Sequence, residues 1–135
     1  MNTHLVGYLA TAIVLLGIDF AWLTIMGPPL YRRTLGDVLV QNFRIIPAVA
    51  FYLLYTAGIM NFAVFPALDA NLWMTALVQG ALFGFFAYAT YSLTNHATLR
   101  NWSTTITLVD LGWGTTLTAV SATFGYLIVG LIGGL

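Results

Sequence analysis

The chain has 135 residues, of which 60% are hydrophobic and only 6% are charged, and its mean hydropathy is +0.91. A soluble domain carries about 25% charged residues, so this composition excludes a water-facing globular surface and predicts one membrane domain over residues 1–135. The net charge is zero, so the chain has no excess of basic residues to bind nucleic acid. The lack of cysteine excludes disulfides and thiolate metal sites, and the lack of lysine excludes Schiff-base cofactors. We expect no cofactor and no metal, with membrane lipids as partners.

Four apolar stretches predict four transmembrane helices, each near the roughly 20 residues that cross a bilayer core. We place them at about residues 5–26, 45–65, 72–93 and 105–129, with breaks at 27–29, 66–71 and 95–103. The runs are too long for strands and lack the regular alternation of a barrel. The predicted fold is an all-α, integral membrane four-helix bundle.

The first stretch has features of a cleavable signal, but no basic segment precedes it, its apolar run is too long, and it contains Asp19. We therefore expect it to be retained as a membrane helix. In the following loop, residues 30–43 place apolar side chains at helical spacing opposite Arg32 and Arg33. This pattern predicts a short cytoplasmic interfacial helix whose arginines contact lipid head groups; an ordinary solvated loop is the alternative.

The arginines indicate how the helices are oriented. All of them lie in the first and third loops, and none lies in the second loop or at either terminus: Arg32, Arg33, Arg44 and Arg100. Cytoplasmic loops collect arginine, so we expect both termini to face outward. Trp73 and Trp102 lie at helix ends, where tryptophan often anchors a helix in the interface.

Two carboxylates lie inside predicted membrane helices and are the most informative residues of the chain. Asp19 in the first helix and Asp110 in the fourth each precede a tryptophan by three positions, Trp22 and Trp113. A charge at mid-helix costs about 2.5 to 3.5 kcal/mol on insertion scales, so such residues usually face the bundle interior and have partners. Residues three apart share a helix face, so each aspartate points the same way as its tryptophan.

The depth of these residues predicts which of them meet. At 1.5 Å per residue, Asp19 lies roughly 10 Å and Trp22 roughly 6 Å from the cytoplasmic end of the first helix. On the antiparallel fourth helix, Asp110 lies roughly 7 Å and Trp113 roughly 12 Å deep. If the two helices are neighbours, each carboxylate accepts the indole N–H of the opposite helix. We call this hypothesis the reciprocal clasp.

Other polar residues are predicted at the same level. Arg44 begins the second helix and is the expected counter-ion, because a guanidinium stays charged and pairs well with carboxylate. Tyr88, Tyr91 and Asn95 end the third helix on the same side. The outer half of the bundle is almost entirely apolar. The pattern therefore favours a one-sided pocket that opens toward the cytoplasm.

Small residues mark two possible sites of close helix approach. Gly80 and Gly84 in the third helix, and Gly130 and Gly134 at the end of the fourth, have the spacing of a GxxxG face. Packing within one molecule and formation of a homo-oligomer are both compatible with this spacing.

Several segments resemble a family of bacterial membrane proteins known as domain of unknown function 2177. They are YLLYTAG at 52–58, FPAL at 65–68, GALFGFFAYATY at 80–91, LTN at 93–95 and TLVDLGWGT at 107–115. The resemblance spans nearly the whole chain. It implies a small, four-helix protein of the bacterial inner membrane, favours a connection with lipid, and lends no catalytic residues.

The sequence leaves three functions open. The first is a binding or transport protein for a small or lipid-like molecule, with its pocket built on the two carboxylates. The second is a membrane enzyme or accessory factor in lipid or isoprenoid modification, with the carboxylates as acid and base; a serine-type triad of Ser92, His96 and Asp110 lacks a nucleophile elbow. The third is a structural subunit whose polar residues only hold the helices together. Whether the protein is an enzyme is left undecided.

Overall fold

The computed structural model describes residues 2–33 and 44–132 of the chain. Within this part, all regular secondary structure is helical. The α-helices are α1 (Thr3–Met26), α2 (Ile45–Ile59), α3 (Phe65–Ala70), α4 (Trp73–Thr98) and α5 (Thr104–Ile132). A π-helical turn, Gly27–Arg32, extends α1, and another, Met60–Val64, joins α2 to α3 without a break.

Four of the described helical stretches are long and apolar enough to cross a membrane. They are Thr3–Leu30, Ile45–Ala70, Trp73–Thr98 and Thr104–Ile132. The shortest have 26 residues, which corresponds to about 39 Å at 1.5 Å per residue. A helix satisfies its own backbone hydrogen bonds, as the hydrocarbon interior demands. The prediction of an all-α bundle with four spans is therefore confirmed.

The first α-helix ends at Met26, as predicted, and the helical path then continues through Gly27, Pro28 and Pro29 as a π-helical turn. Proline lacks an N–H and crowds the preceding turn, and the wider π-turn accommodates this locally. Residues 66–70 and 95–98 are also helical. The actual break between α3 and α4 occurs at Asn71. This residue caps α3 in the left-handed conformation, with a φ of 55°.

Residues 34–43, which include most of the predicted interfacial helix, lie outside the described part of the chain. The portion that is described, up to residue 33, continues the helical path of α1. The cytoplasmic interfacial helix therefore stays a prediction.

The fourth span is the centre of the bundle. α5 packs against α1 on one side and against α4 on the other. The second span reaches α4 mainly through its π-helical turn and α3. The buried core includes Leu15, Ile59, Val64, Ala76 and Leu117. The condition for the reciprocal clasp, that the first and fourth helices are neighbours, is thus met.

Gly80 and Gly84 allow α4 to approach α5 closely. A Cβ on Gly80 would lie 2.9 Å from the carbonyl oxygen of Thr118, and one on Gly84 would lie 2.6 Å from the Thr118 hydroxyl oxygen. Both distances are shorter than a van der Waals contact. This GxxxG face is therefore used within the molecule and is not free for a second copy. Gly130 has no neighbour within 4 Å of an added Cβ, and Gly134 lies outside the described residues.

Contacts between loop-proximal residues define the two ends of the bundle. At one end, Leu30 packs against the buried pair of Trp102 and Ile106. At the other, the rings of His4 and Phe65 lie 4.7 Å apart. Arg33, Arg44 and Arg100 belong to the first end, which we call the arginine end.

Candidate functional site

Asp19 is the centre of a hydrogen-bonded cluster that joins three spans. Its side chain is only 7% exposed. Tyr52 of α2 donates its hydroxyl proton to Oδ2 of Asp19. The indole N–H of Trp113 in α5 donates to Oδ1 over 3.2 Å. Each carboxylate oxygen therefore accepts from a different helix, and both donors are uncharged.

The predicted hydrogen bond from Trp113 to Asp19, one half of the reciprocal clasp, is present. Trp22, on the same helix as Asp19, stacks on the Trp113 ring with the centroids 4.2 Å apart and the planes within 9°. Stacked aromatic pairs contribute about 0.5–1.5 kcal/mol beyond the area they bury. Trp22 therefore fixes the orientation of the ring that bonds to Asp19.

Two further tyrosines lie near the same carboxylate. The hydroxyls of Tyr55 and Thr118 are hydrogen-bonded over 2.6 Å and both residues are buried. Tyr88 packs over Gly114 of α5, where a Cβ would overlap its ring. From there Tyr88 lies within electrostatic range of both Asp19 and Asp110. The predicted site residue Tyr88 is therefore near both acids.

Asp110 forms a second polar centre, between α4 and α5. Its side chain is 5% exposed, and Ser92, which is fully buried, donates to its Oδ2 over 3.0 Å. Asp110 makes contacts in addition to this one. In a serine triad the hydroxyl donates to histidine and histidine to the acid, whereas here Ser92 donates directly to the acid. The arrangement does not have the order of a catalytic triad.

His96 belongs to a separate chain of hydrogen bonds at the arginine end. Its Nδ1 lies 3.1 Å from the hydroxyl oxygen of Thr107. The same oxygen accepts a hydrogen bond from the indole N–H of Trp102 over 3.0 Å. Trp102 is only 8% exposed. The prediction that Trp102 anchors the protein in the lipid interface is therefore wrong, because its polar edge is used inside the bundle. Trp73 is 49% exposed at the start of α4, as an anchor would be.

The remaining predicted site residues lie toward the arginine end. Arg44 is exposed at the N-terminus of α2. Among the side chains that the structure describes, no arginine or histidine forms an ion pair with Asp19, so the expected counter-ion is not beside that carboxylate. Tyr91 is 56% exposed and its ring meets Trp102 edge-on at 5.7 Å. Asn95 is near its hydroxyl, one helical turn further along α4.

The two arginines assigned to lipid head groups follow α1. Arg33 is exposed at the end of the helical path. The side chain of Arg32 lies outside the described part, so head-group binding stays a prediction for both.

Sequence reasoning missed Tyr52 and did not give Ser92 a role as a partner of Asp110. Neither residue stands out in the sequence, because Tyr52 lies among other aromatic residues and serine is common in membrane helices. A depth comparison identifies Tyr52 as a partner. It follows Ile45 by seven positions, or roughly 10 Å at 1.5 Å per residue, which is the level calculated for Asp19.

The arrangement brings two buried carboxylates, three tyrosines and two tryptophans into the half of the bundle nearest the arginine end. Both carboxylates are buried, and uncharged hydroxyl and indole groups donate hydrogen bonds to them. The hydrogen bonds of Asp19 also join α1, α2 and α5. Chemistry and packing therefore depend on the same side chains.

These features define a multi-pass α-helical membrane protein with a polar centre inside the bundle. The chain belongs to the family of predicted membrane proteins DUF2177, whose model matches residues 4–127. No curated protein and no solved structure matches the chain.

Proposed function

We propose that this protein binds and transports a small or lipid-like molecule at the Asp19–Asp110 cluster, and that it exchanges the molecule for protons. The observation that carries the proposal is the environment of Asp19. This carboxylate is buried in a membrane span and accepts hydrogen bonds only from the neutral groups of Tyr52 and Trp113 among the described side chains. Ionisable side chains inside membrane spans commonly belong to proton or ligand pathways.

The cost of a carboxylate supports a role beyond holding helices together. An ionisable side chain at mid-helix costs about 2.5–3.5 kcal/mol on insertion scales. A neutral serine or asparagine joins helices through similar hydrogen bonds without this cost. Asp19 and Asp110 are both buried in the same half of the bundle, so this cost is incurred twice. A function that needs a reversible charge accounts for both.

The proposed location is the bacterial inner membrane, with the arginine end in the cytoplasm and both termini outside. The positive-inside rule supports this orientation, since the arginines that the structure describes all belong to one end of the bundle. The polar cluster then lies in the cytoplasmic half of the bundle, where a transporter that releases or takes up its ligand in the cytoplasm would bind it.

The proposal is tested by infrared titration of the purified protein in lipid nanodiscs. Protonation of a buried carboxyl produces a carbonyl stretch that is absent from the ionised form. We expect a pH-dependent band that disappears in Asp19→Asn and changes in Asp110→Asn. Asp69→Asn is the matched control, because Asp69 is exposed near the opposite end. This variant should retain the component of the band that is lost in Asp19→Asn.

Two results would overturn the proposal. If the wild type shows no pH-dependent component beyond that of its exposed aspartates, the buried carboxylates do not exchange protons. If the Asp19→Asn and Asp110→Asn proteins titrate as the wild type and lose only stability, the cluster is structural. An altered lipid profile in cells that express these variants, without any titrating band, would indicate an enzyme instead.

A further inference from the structure

Three hydrogen-bonded side chains at the arginine end connect the end of α4 to the start of α5. Nδ1 of His96 lies 3.1 Å from the hydroxyl oxygen of Thr107, and the indole N–H of Trp102 donates to the same oxygen over 3.0 Å. Thr107 and Trp102 are buried, whereas His96 is partly exposed. We call these three side chains the His96 network. Its titratable member is therefore also its most exposed one.

The His96 network lies between Asp110 and the arginine end. Ser92 precedes His96 by four positions on α4, and Asp110 follows Thr107 by three positions on α5. Residues at these spacings share a helix face. The Ser92–Asp110 bond and the His96–Thr107 contact are therefore successive connections between α4 and α5, about 5 Å apart along the helices. A proton that reaches Asp110 between α4 and α5 from the arginine end passes the His96 network first.

The donors in the network indicate which nitrogen of neutral His96 carries the proton. An indole N–H can only donate, so the Thr107 oxygen accepts from Trp102. The hydroxyl proton of Thr107 is then available to Nδ1 of His96, which must be unprotonated to accept it. Among the described side chains, His96 and Trp102 are the hydrogen-bond partners of this hydroxyl. The network is thus complete when His96 is neutral and carries its proton on Nε2.

Protonation of His96 makes this arrangement incomplete. Nδ1 then carries a proton, so two donors face the Thr107 oxygen while its own proton has no acceptor in the network. A buried donor without an acceptor is unfavourable. Other helical threonines of the chain show the alternative, because each donates to the carbonyl oxygen four residues earlier: Thr24, Thr56, Thr90, Thr98, Thr115 and Thr123. The corresponding acceptor for Thr107 is the carbonyl oxygen of Ser103.

Charged groups on several elements surround His96. The described titratable and charged side chains of this end are Asp110 on α5, Tyr91 on α4, Arg100 in the segment after α4, Arg33 at the end of the α1 path and Arg44 at the start of α2. Asp110 attracts a positive charge on His96, although it already accepts a hydrogen bond from Ser92. The arginines repel that charge. These two influences oppose each other, whereas the excess of donors at Thr107 acts in one direction only.

Building on the proton exchange proposed above, we infer that the His96 network is a pH-sensitive closure over Asp110. When His96 is neutral, the network holds the ends of α4 and α5 together and covers the acid. When His96 is protonated, Thr107 turns to the Ser103 carbonyl, Trp102 is released, and the path from the arginine end to Asp110 opens. Histidine ordinarily changes its charge between pH 5 and 8, so acidification on this side regulates access to the carboxylate.

The state of the network is measured by nuclear magnetic resonance of the isotope-labelled full chain in lipid nanodiscs. The ring-nitrogen signals of His96 report which nitrogen carries a proton, and the indole N–H signal of Trp102 reports its bond to Thr107. Trp102→Phe identifies that indole signal. We expect neutral His96 to carry its proton on Nε2. On acidification, the Trp102 signal should change with the same midpoint as the His96 signals.

Variants of the network test each contact. Thr107→Val has a similar shape but no hydroxyl, so the Trp102 signal should no longer follow His96. Exchange of the Trp102 N–H with water at neutral pH should be about tenfold faster than in the wild type, which corresponds to 1.4 kcal/mol. Thr107→Ser keeps the hydroxyl and should restore the response, and His96→Gln should abolish it. His4 and Trp73, at the opposite end, are internal controls.

Access to Asp110 is measured by infrared spectroscopy after transfer to heavy water. The carbonyl stretch of a protonated carboxyl shifts when deuterium replaces its proton. The component that changes in Asp110→Asn should exchange faster in Thr107→Val than in the wild type at the same pH. Thr107→Ser should exchange as the wild type does. Circular dichroism and thermal unfolding establish that faster exchange in Thr107→Val is not a loss of fold.

The results distinguish this inference from the function on which it rests. A proton on Nδ1 of neutral His96, or a Trp102 signal that does not follow the protonation of His96, would overturn the inference. Equal exchange at Asp110 in the wild type and Thr107→Val would overturn it as well. If the buried carboxyls titrate in the same preparation, proton exchange survives each of these results. If no buried carboxyl titrates, the proposed function fails and the closure has nothing to regulate.

Discussion

The indole nitrogen of Trp113 lies 3.2 Å from Oδ1 of Asp19, which joins two residues 94 positions apart in the chain. The bond connects the first span to the last at one depth in the membrane. Tyr52 adds the second span by donating to the other carboxylate oxygen. One acidic side chain thereby joins three helices.

The Trp113–Asp19 hydrogen bond should make a measurable contribution to stability. Trp113→Phe retains an aromatic ring against Trp22 but removes the N–H donor. We expect a loss of about 0.6–1.7 kcal/mol in the free energy of unfolding, the range of hydrogen bonds between membrane helices. The measurement is unfolding in mixed micelles of increasing denaturing detergent. Trp73→Phe, at a half-exposed position, is the control, and an equal loss in both variants would contradict this assignment.

Gly84 should tolerate no side chain. A Cβ there would overlap the carbonyl oxygen of Gly114 and the hydroxyl of Thr118, so Gly84→Ala must push α4 away from α5. We expect a loss of about 1–3 kcal/mol in the free energy of unfolding. Gly112→Ala is the matched control on α5, because nothing lies within 4 Å of its Cβ.

Gly112→Ala should be neutral or gain up to about 1 kcal/mol through the higher helix propensity of alanine. If the two glycine variants unfolded at the same denaturing-detergent concentration, the close approach of α4 and α5 would be refuted.

Two buried serines should respond differently to the same substitution. Ser92 donates to Asp110, so Ser92→Ala removes a donor from a buried carboxylate and should cost about 1–3 kcal/mol. Among the buried side-chain atoms that the structure describes, the Ser121 hydroxyl oxygen has no hydrogen-bond partner. Ser121→Ala should therefore be neutral or stabilising. Detergent unfolding of the two variants side by side tests this pair, and the opposite ranking would argue against the Ser92–Asp110 bond.

The orientation of the bundle can be determined by labelling, because the chain has no native cysteine. Single cysteines at Thr98 and Asp69 lie at opposite ends, and both positions are exposed. In intact bacterial cells, a thiol reagent that does not cross the inner membrane should label Asp69→Cys and spare Thr98→Cys. Permeabilised cells should label both. The reverse pattern would place the arginine end outside.

Part of the polar centre could be predicted by calculating how deep each residue lies in the membrane. The rise of a helix is fixed, so the depths of Asp19 and Trp113 can be calculated from their positions in the chain. Those depths predicted their hydrogen bond correctly. The stacking of Trp22 on Trp113 and the bond from Tyr52 depend on how each helix is rotated about its axis. A helix that is apolar on every face carries little information about that rotation.

The sequence by itself determined the class of the protein. Its apolar stretches are long enough to cross a bilayer and carry almost no charge, so they belong in a membrane. Inside a membrane these stretches form helices, because a helix satisfies the hydrogen bonds of every backbone group. Tertiary structure alone decided that α5 is central, that Gly80 and Gly84 are buried against it, and that Trp102 faces inward. The physical reason is that hydropathy sets the depth of a residue, whereas contacts between side chains set its direction.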